Sequence, residues 1–597
     1  MAEKKSYKFN KQQKSEVAES ALHSGPWRTI LGAATIVLIT LAAYYPLRLA
    51  GYLYDDYVWL VGNPLIRSWS GLVYVWVRHI DLTQYYPMVF VVFDLAYHLW
   101  DLTALGYHFM NVLFQAANAL LLWILLGRLG FKSAWLAAVI FAIHPVQVET
   151  VGWVVEMKNL LSAFFYFLTL LTYLRFAGLT DKPTLKKKPP VYRNYPLYVL
   201  ALVLYILALF SKTDTCTLPA IVLLLIWWKR ERWSAQDFLW TVPMFVLGAV
   251  LALVTIHIEH TTTGIQGPDW QFTFSQKIVI AGKALWFYAS KFFWPSTLLP
   301  IYPRWPVEQL GGWEWIFPIS FAAVAASLWL LQKKIGRGPF TALAFFGITL
   351  LPVLGFIPYY TMLFSFVADH FQYLACIGLI VPTTELIWYM SLQVPARAGE
   401  LYSLVSGVVI LALGSLTFGQ SLLYQSPLAF WQYAHDNNNH SFYVTSIYGA
   451  SLLDAGFIGP ALEELQLANQ MRPGYRATES ALGMAYLDVK KYALAENYFL
   501  LAMREDPYTT YNLDGAVECL LAQHEYSRAI EVLQLGLYYN KDYAPGWISL
   551  ARLYELTGHH TQALECYLNA VSLDPRYKGA SLIIGLPSTS APAVNER

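Results

Sequence analysis

Eleven apolar runs, each broken off by a short polar or basic cluster, pattern the first 425 residues. The first runs from about Thr29 to Leu49. Others lie near 106–127, 133–145, 155–176, 195–211, 214–229, 238–258, 314–332, 339–357, 371–390 and 401–424. An upright membrane helix needs roughly 20 apolar residues, so these segments predict a polytopic helical bundle of about eleven spans. Two more apolar stretches fit less well. Tyr86 to Trp100 is short, and 277–295 crosses only if the basic cluster after it lies on the wrong side, so both are expected to lie along the membrane interface.

From about Phe442 the apolar positions change period. Ala461, Ala495, Ala529 and Ala563 recur 34 residues apart, as do Leu465, Phe499, Leu533 and Tyr567. Pro473, Pro507, Lys541 and Pro575 keep the same spacing, and Gly449, Gly483, Val517 and Ala551 hold a small position on the first helix of each unit. This is the tetratricopeptide pattern, in which small residues let paired helices approach and large ones fill the groove between repeats. The expected class is therefore all-α. Residues 1–28 form a cytoplasmic disordered tail, 29–425 a membrane domain with an outer loop at 50–105, 426–586 a repeat solenoid and 587–597 a loose tail.

Composition narrows the picture. The 597-residue chain is 56% hydrophobic and only 13% charged, well below the quarter typical of soluble domains. Its net charge of +2 gives no reason to expect nucleic acid as a partner, and the lipid bilayer is the surroundings it is built for. Four cysteines without close pairing predict neither disulfides nor a structural zinc site. The first apolar run is too long for a signal-peptide core and is expected to be retained. Basic clusters set orientation: Lys4, Lys5, Lys8, Lys11 and Lys14, then Arg128/Lys132, Lys182 with Lys186 to Lys188 and Arg193, Lys229/Arg230/Arg232, Lys333/Lys334/Arg337, and Arg397. The positive-inside rule places all of these in the cytoplasm. The loop after the first span, the loops near 144–156, 211–214 and 259–313, and the repeats then lie outside, as in a bacterial inner membrane or its equivalent.

Five constellations on that outer side could carry chemistry. Asp55-Asp56 follows the first span among tyrosines; a carboxylate beside apolar surface is desolvated toward a working pKa, although an Asx turn would also use it. His108, Asn111, Gln115 and Asn118 form one polar stripe on an apolar helix, lining a cavity or bonding a neighbouring helix. Glu149 and Glu156, seven apart, would share a helical face with His144 and Lys158 nearby, either in a pocket or at the solvated surface. Lys212, on the outer side against the charge trend, calls for a fixed partner, either Asp214 or a phosphate. Asp369 precedes an apolar run as a candidate helix cap, with His370 next, and that helix start would favour an anion.

Taken in order, Asp55-Asp56 with Asn63-Pro64, Gly106 and His108 with Asn111 and Asn118, Phe141 to Pro145 with Glu149, Trp153 with Glu156 and Lys158, Ser211-Lys212, and Ala368-Asp369 before Tyr373-Leu374 resemble the transmembrane-and-tetratricopeptide O-mannosyltransferase-like family. The resemblance runs over about residues 29–580, and the order of motifs gives it specificity. It implies a GT-C glycosyltransferase fold, a polyprenyl-phosphate sugar donor and transfer to a protein hydroxyl, with the repeats presenting or selecting the acceptor. It also implies an acidic general base in the first outer loop, which falls on Asp55 or Asp56; Asp55 is the expected base, with Asp56 as its orienting neighbour. Lys212, His370 and Lys158 would hold the donor phosphate, and His108, Asn111, His144, Glu149, Glu156 and Asp369 would line the substrate pocket. The chain departs from the family at Gln115, where a second His is common, at Met157, where Arg is common, and at His370, where Arg is usual. Arg is a permanent bidentate phosphate ligand and His is not. A divalent metal is possible at Asp55 and Asp56, with no third carboxylate tied to them. The other reading is a membrane-anchored repeat scaffold without activity.

Overall fold

The computed structural model describes residues 26–77, 85–179, 194–262, 265, 267–307 and 310–579. The N-terminal lysines, the basic run from Lys182 to Arg193, the residues 78–84 and the C-terminal tail lie outside the described residues. Every regular element among those described is helical. They form two compact units, Met1–Ala429 and Phe430–Arg597.

In the first unit, α1 (Pro26–Ala43) leads to a short helical turn at Tyr54–Asp56, then α2 (Trp69–Val77), α3 (Pro87–Trp100) and α4 (Ala104–Arg128). After α5 (Ala134–Ile143) come α6 (Val148–Gly152), α7 (Met157–Phe176), α8 (Tyr195–Ser211), α9 (Leu218–Arg230), α10 (Ala235–Thr262) and α11 (Phe274–Phe293). The unit closes with α12 (Ile316–Ile335), α13 (Gly338–Leu350), α14 (Ile377–Ser391) and α15 (Ala398–Leu422). Among the described residues six helices are long and apolar enough to cross a membrane, or seven with α5 and the bent segment after it counted as one. The other expected spans fall on the shorter helices α8, α9, α13 and α14; thirteen residues of α9 reach only about 20 Å. Leu253, Leu330 and Leu411 stand more than 60% exposed, as side chains facing hydrocarbon do.

The decisive local feature is the break between α5 and α7. Pro145 cannot donate a backbone hydrogen bond, so α5 stops at Ile143 and the chain bends by 54°. It then makes a turn at Pro145–Gln147, the short α6 and a second turn at Val154–Glu156. Broken helices orphan carbonyls, which cost several kcal/mol each in a buried setting. The polar stripe of α4 answers this. Gln115 Nε2 donates to the Phe141 and Ala142 carbonyls at 3.0 and 3.1 Å, and Asn111 Nδ2 donates to those of Val151 and Trp153 at 3.2 and 3.1 Å. Asn118 bonds the Leu160 carbonyl on α7 and the Tyr373 hydroxyl. Of the two uses the stripe had in sequence, the structure realises the interhelical one. Glu149 and Glu156 are not on one helical face, because Trp153 breaks the helix between them, and both are buried rather than solvated.

The second unit is a stack of helix pairs: α16 (Phe442–Asp454) with α17 (Ile458–Met471), α18 (Arg476–Asp488) with α19 (Tyr492–Glu505), α20 (Thr510–Ala522) with α21 (Tyr526–Tyr539), and α22 (Ala544–Leu556) with α23 (His560–Leu573). The four alanines spaced by 34 are fully buried at the pair contacts. A Cβ added at Gly483 would lie 2.8 Å from the Phe499 ring, so only glycine admits that approach.

Candidate functional site

Asp55 and Asp56 are neighbours with different surroundings. The Asp56 carboxylate is buried and clamped: Oδ2 accepts from the Leu53 amide at 2.8 Å and Oδ1 from the Val155 amide at 2.9 Å. It thus ties the loop after α1 to the turn before α7. Burial pushes its carboxyl up to about 8, against the pull of the two amides. Asp55 remains partly accessible, and its carboxylate makes no hydrogen bond among the described residues. Burial moves it up to about 6, with Lys158 and His370 pulling it down and Glu156 pushing it up. One carboxylate therefore holds the loop while the other stays available for chemistry.

The remaining sequence-flagged charges meet at Glu156. Lys158 Nζ lies 2.8 Å from Glu156 Oε1, and Asn159 donates to Oε2. Asn159 Oδ1 in turn accepts from Lys212 Nζ at 2.8 Å, and Lys212 pairs with Asp214 at 3.0 Å. His370 completes the ring: Nε2 is 4.0 Å from Glu156 Oε1 and Nδ1 is 3.2 Å from Glu149 Oε2. A cleft opens beside this network, lined by Asn159, Lys212, Asp214, His370 and Phe371, with Tyr166 among its deeper walls. The Lys212 ammonium and the His370 imidazole at this cleft, with the Lys158 ammonium in the same network and each anchored by a carboxylate, suit an anionic ligand that can compete for them.

Other flagged residues stand apart from the cleft. His108 Nε2 meets the Gly51 carbonyl at 3.0 Å and so steadies the loop that carries the Asp pair. Asn111 holds the broken helix. His144 Nε2 meets the Phe292 carbonyl at 3.0 Å, with its ring stacked on Phe292. Asp369 does not cap its helix; its Oδ2 accepts from the Tyr302 hydroxyl at 2.8 Å, and burial with Glu149 nearby holds its carboxyl well above the usual range. The anion at that helix start is Glu149, which accepts from the His370 amide at 2.8 Å. Among the described residues no group of three or more His, Cys, Asp or Glu side chains is gathered as a metal site. Sequence reasoning gave no role to Asn159, although it sits in a flagged motif, and did not flag Tyr302, an isolated loop tyrosine with no periodic signal.

A broken-helix membrane bundle with a charged cleft, followed by a repeat solenoid, defines the class. Its tetratricopeptide part is matched by the Tetratricopeptide repeat family model over residues 544–577. The chain is similar to the human protein O-mannosyl-transferase TMTC3, 28% identical over 153 residues, covering 24% of this chain and 17% of that protein. It is also similar to the Caenorhabditis elegans protein O-mannosyl-transferase F38B6.6, 27% identical over 24% of this chain and 23% of the other, and to Drosophila melanogaster Tmtc3, 26% identical over 27% and 20%. The match spans less than a quarter of each of these relatives. A solved structure of MamA (MSR-1) overlaps 25% of this chain and 86% of its own length, at 21% identity and a TM-score of 0.23.

Proposed function

We propose that this protein is a membrane glycosyltransferase that moves a sugar, mannose or another hexose, from a polyprenyl-phosphate donor to a hydroxyl of a protein. The observation that carries the reading is Asp55: a partly accessible carboxylate without a hydrogen bond among the described residues, raised by burial to about 6 beside the charges of Lys158 and His370. At neutral pH it is ionised and basic enough to take the proton of an attacking hydroxyl. Asp56 fixes the loop from behind. Lys212 and Lys158 exchange their present partners for the donor phosphate and stabilise it as it leaves, with His370 beside them. The similarity to protein O-mannosyl-transferases supports the reaction class. The active side is the periplasmic or luminal one, and the repeats hold the protein acceptor.

The test is direct. Membranes containing the protein are given labelled polyprenyl-phosphate mannose, glucose and N-acetylglucosamine, and label is followed into protein. Transfer from one hexose donor, lost in Asp55→Asn, is the expected result. No transfer from any donor would replace this reading with that of a repeat scaffold.

A further inference from the structure

His370 has a geometry that a phosphate ligand does not need. Its backbone amide donates to Glu149 Oε2 at 2.8 Å, and its Nδ1 lies 3.2 Å from the same oxygen without a hydrogen bond, so the ring is seated against a buried carboxylate. Nε2 points the other way, 4.0 Å from Glu156 Oε1, a distance that leaves it unbonded. The ring also lines the cleft next to Lys212. On the loop side, His370 is among the charges that act on Asp55. An imidazole seated against a buried carboxylate, with its second nitrogen unbonded beside a cationic cleft, has the arrangement of a proton carrier.

We propose that His370 carries the proton from Asp55 to the leaving lipid phosphate. This rests on the glycosyl-transfer reading above. As the bond between the anomeric carbon and the phosphate oxygen breaks, that oxygen keeps the electron pair and takes the Nε2 proton of the imidazolium. The acceptor oxygen bonds to the anomeric carbon and gives its own proton to Asp55. Asp55 then returns that proton to the neutral imidazole, which restores both groups for the next turnover. The net change is one proton moved from acceptor hydroxyl to lipid phosphate. The groups that face His370 are Glu149 on α6, Glu156 on the turn before α7, Lys158 and Asn159 on α7, Lys212 and Asp214 before α9, Asp55 on the first outer loop, and Asp369 beside it in the chain. Of these, Glu149 lies against Nδ1, Glu156 faces Nε2, and Lys158 and Lys212 add positive charge around the ring.

The experiment compares the full-length wild type with His370→Arg, His370→Gln and His370→Ala in steady-state transfer. Arg keeps a positive charge but cannot give up a proton. A proton carrier predicts kcat reduced on the order of 100-fold in both Arg and Gln, with the donor KM of the Arg variant within about twofold of wild type, and partial recovery of kcat in His370→Ala on adding imidazole. Wild-type kcat in His370→Arg would overturn the proposal and leave the residue as a phosphate ligand. Loss in His370→Ala with raised donor KM and no imidazole recovery would overturn it too. If Arg does not fold, shown by its unfolding midpoint in detergent, the alanine variant with imidazole decides. Absence of transfer by the wild type itself would instead remove the glycosyltransferase reading.

Discussion

Replacing each aspartate of the loop after α1 separates the two roles assigned to the pair. In Asp56→Ala the Leu53 and Val155 amides lose their acceptors, and both are buried with that carboxylate. An orphaned buried donor costs about 1–3 kcal/mol, so two give about 2–6 kcal/mol. The wild-type carboxyl already carries a burial penalty, as its rise to about 8 reports, and alanine relieves it, so the expected loss lies near the lower end, about 2 kcal/mol. Asp55→Asn has the opposite sign. The Asp55 carboxyl binds its proton more tightly folded, at about 6, than unfolded, near 3.8, so wild-type stability falls as pH rises through that window. Asparagine removes this fall. At pH 7 Asp55→Asn should therefore unfold at or above the wild-type midpoint while losing transfer, whereas Asp56→Ala should unfold below it. Thermal unfolding in detergent alongside the transfer assay reads both. Equal destabilisation by the two substitutions, or transfer retained in Asp55→Asn, would refute the division of labour.

Other outcomes follow from the same geometry. Wild-type kcat/KM should drop about tenfold per pH unit below about 6, as Asp55 takes up its proton, and a profile flat to pH 5 would exclude it as base. Asn111→Leu orphans the Val151 and Trp153 carbonyls and should cost about 2 kcal/mol in unfolding measurements. Because that segment carries Glu149 and Glu156, kcat should fall as well. Gly483→Val places a Cβ 2.8 Å from the Phe499 ring and should destabilise the repeat unit by about 1–3 kcal/mol, read by thermal unfolding, while donor KM stays unchanged.

What could be read from the sequence divides by the distance over which each signal acts. The 34-residue period was legible because every repeat makes the same local contact, so Ala461 and Ala563 report one environment. The α4 stripe was legible only as a face. Spacing says that His108, Asn111, Gln115 and Asn118 share a side of the helix, but not what lies opposite. What lies opposite is a helix broken at Pro145, and the broken carbonyls turn the stripe into scaffolding. Glu149 and Glu156 looked like a helical pair because seven residues make two turns, yet Trp153 is extended, and the two acids reach His370 from different elements. Such a cluster assembles from four separated stretches, and no periodicity records it. This explains the bridging of Glu156 to Lys212 by Asn159, a contact no spacing announces. The charges nevertheless had a legible trait: each was expensive where it stood. Lys212 and Lys158 beside apolar helices, and Glu149 and Glu156 inside a hydrophobic run, are tolerable only if they neutralise one another. A network held together by that necessity opens for a ligand only if the ligand brings charge of its own. For the two lysines, that ligand is an anion.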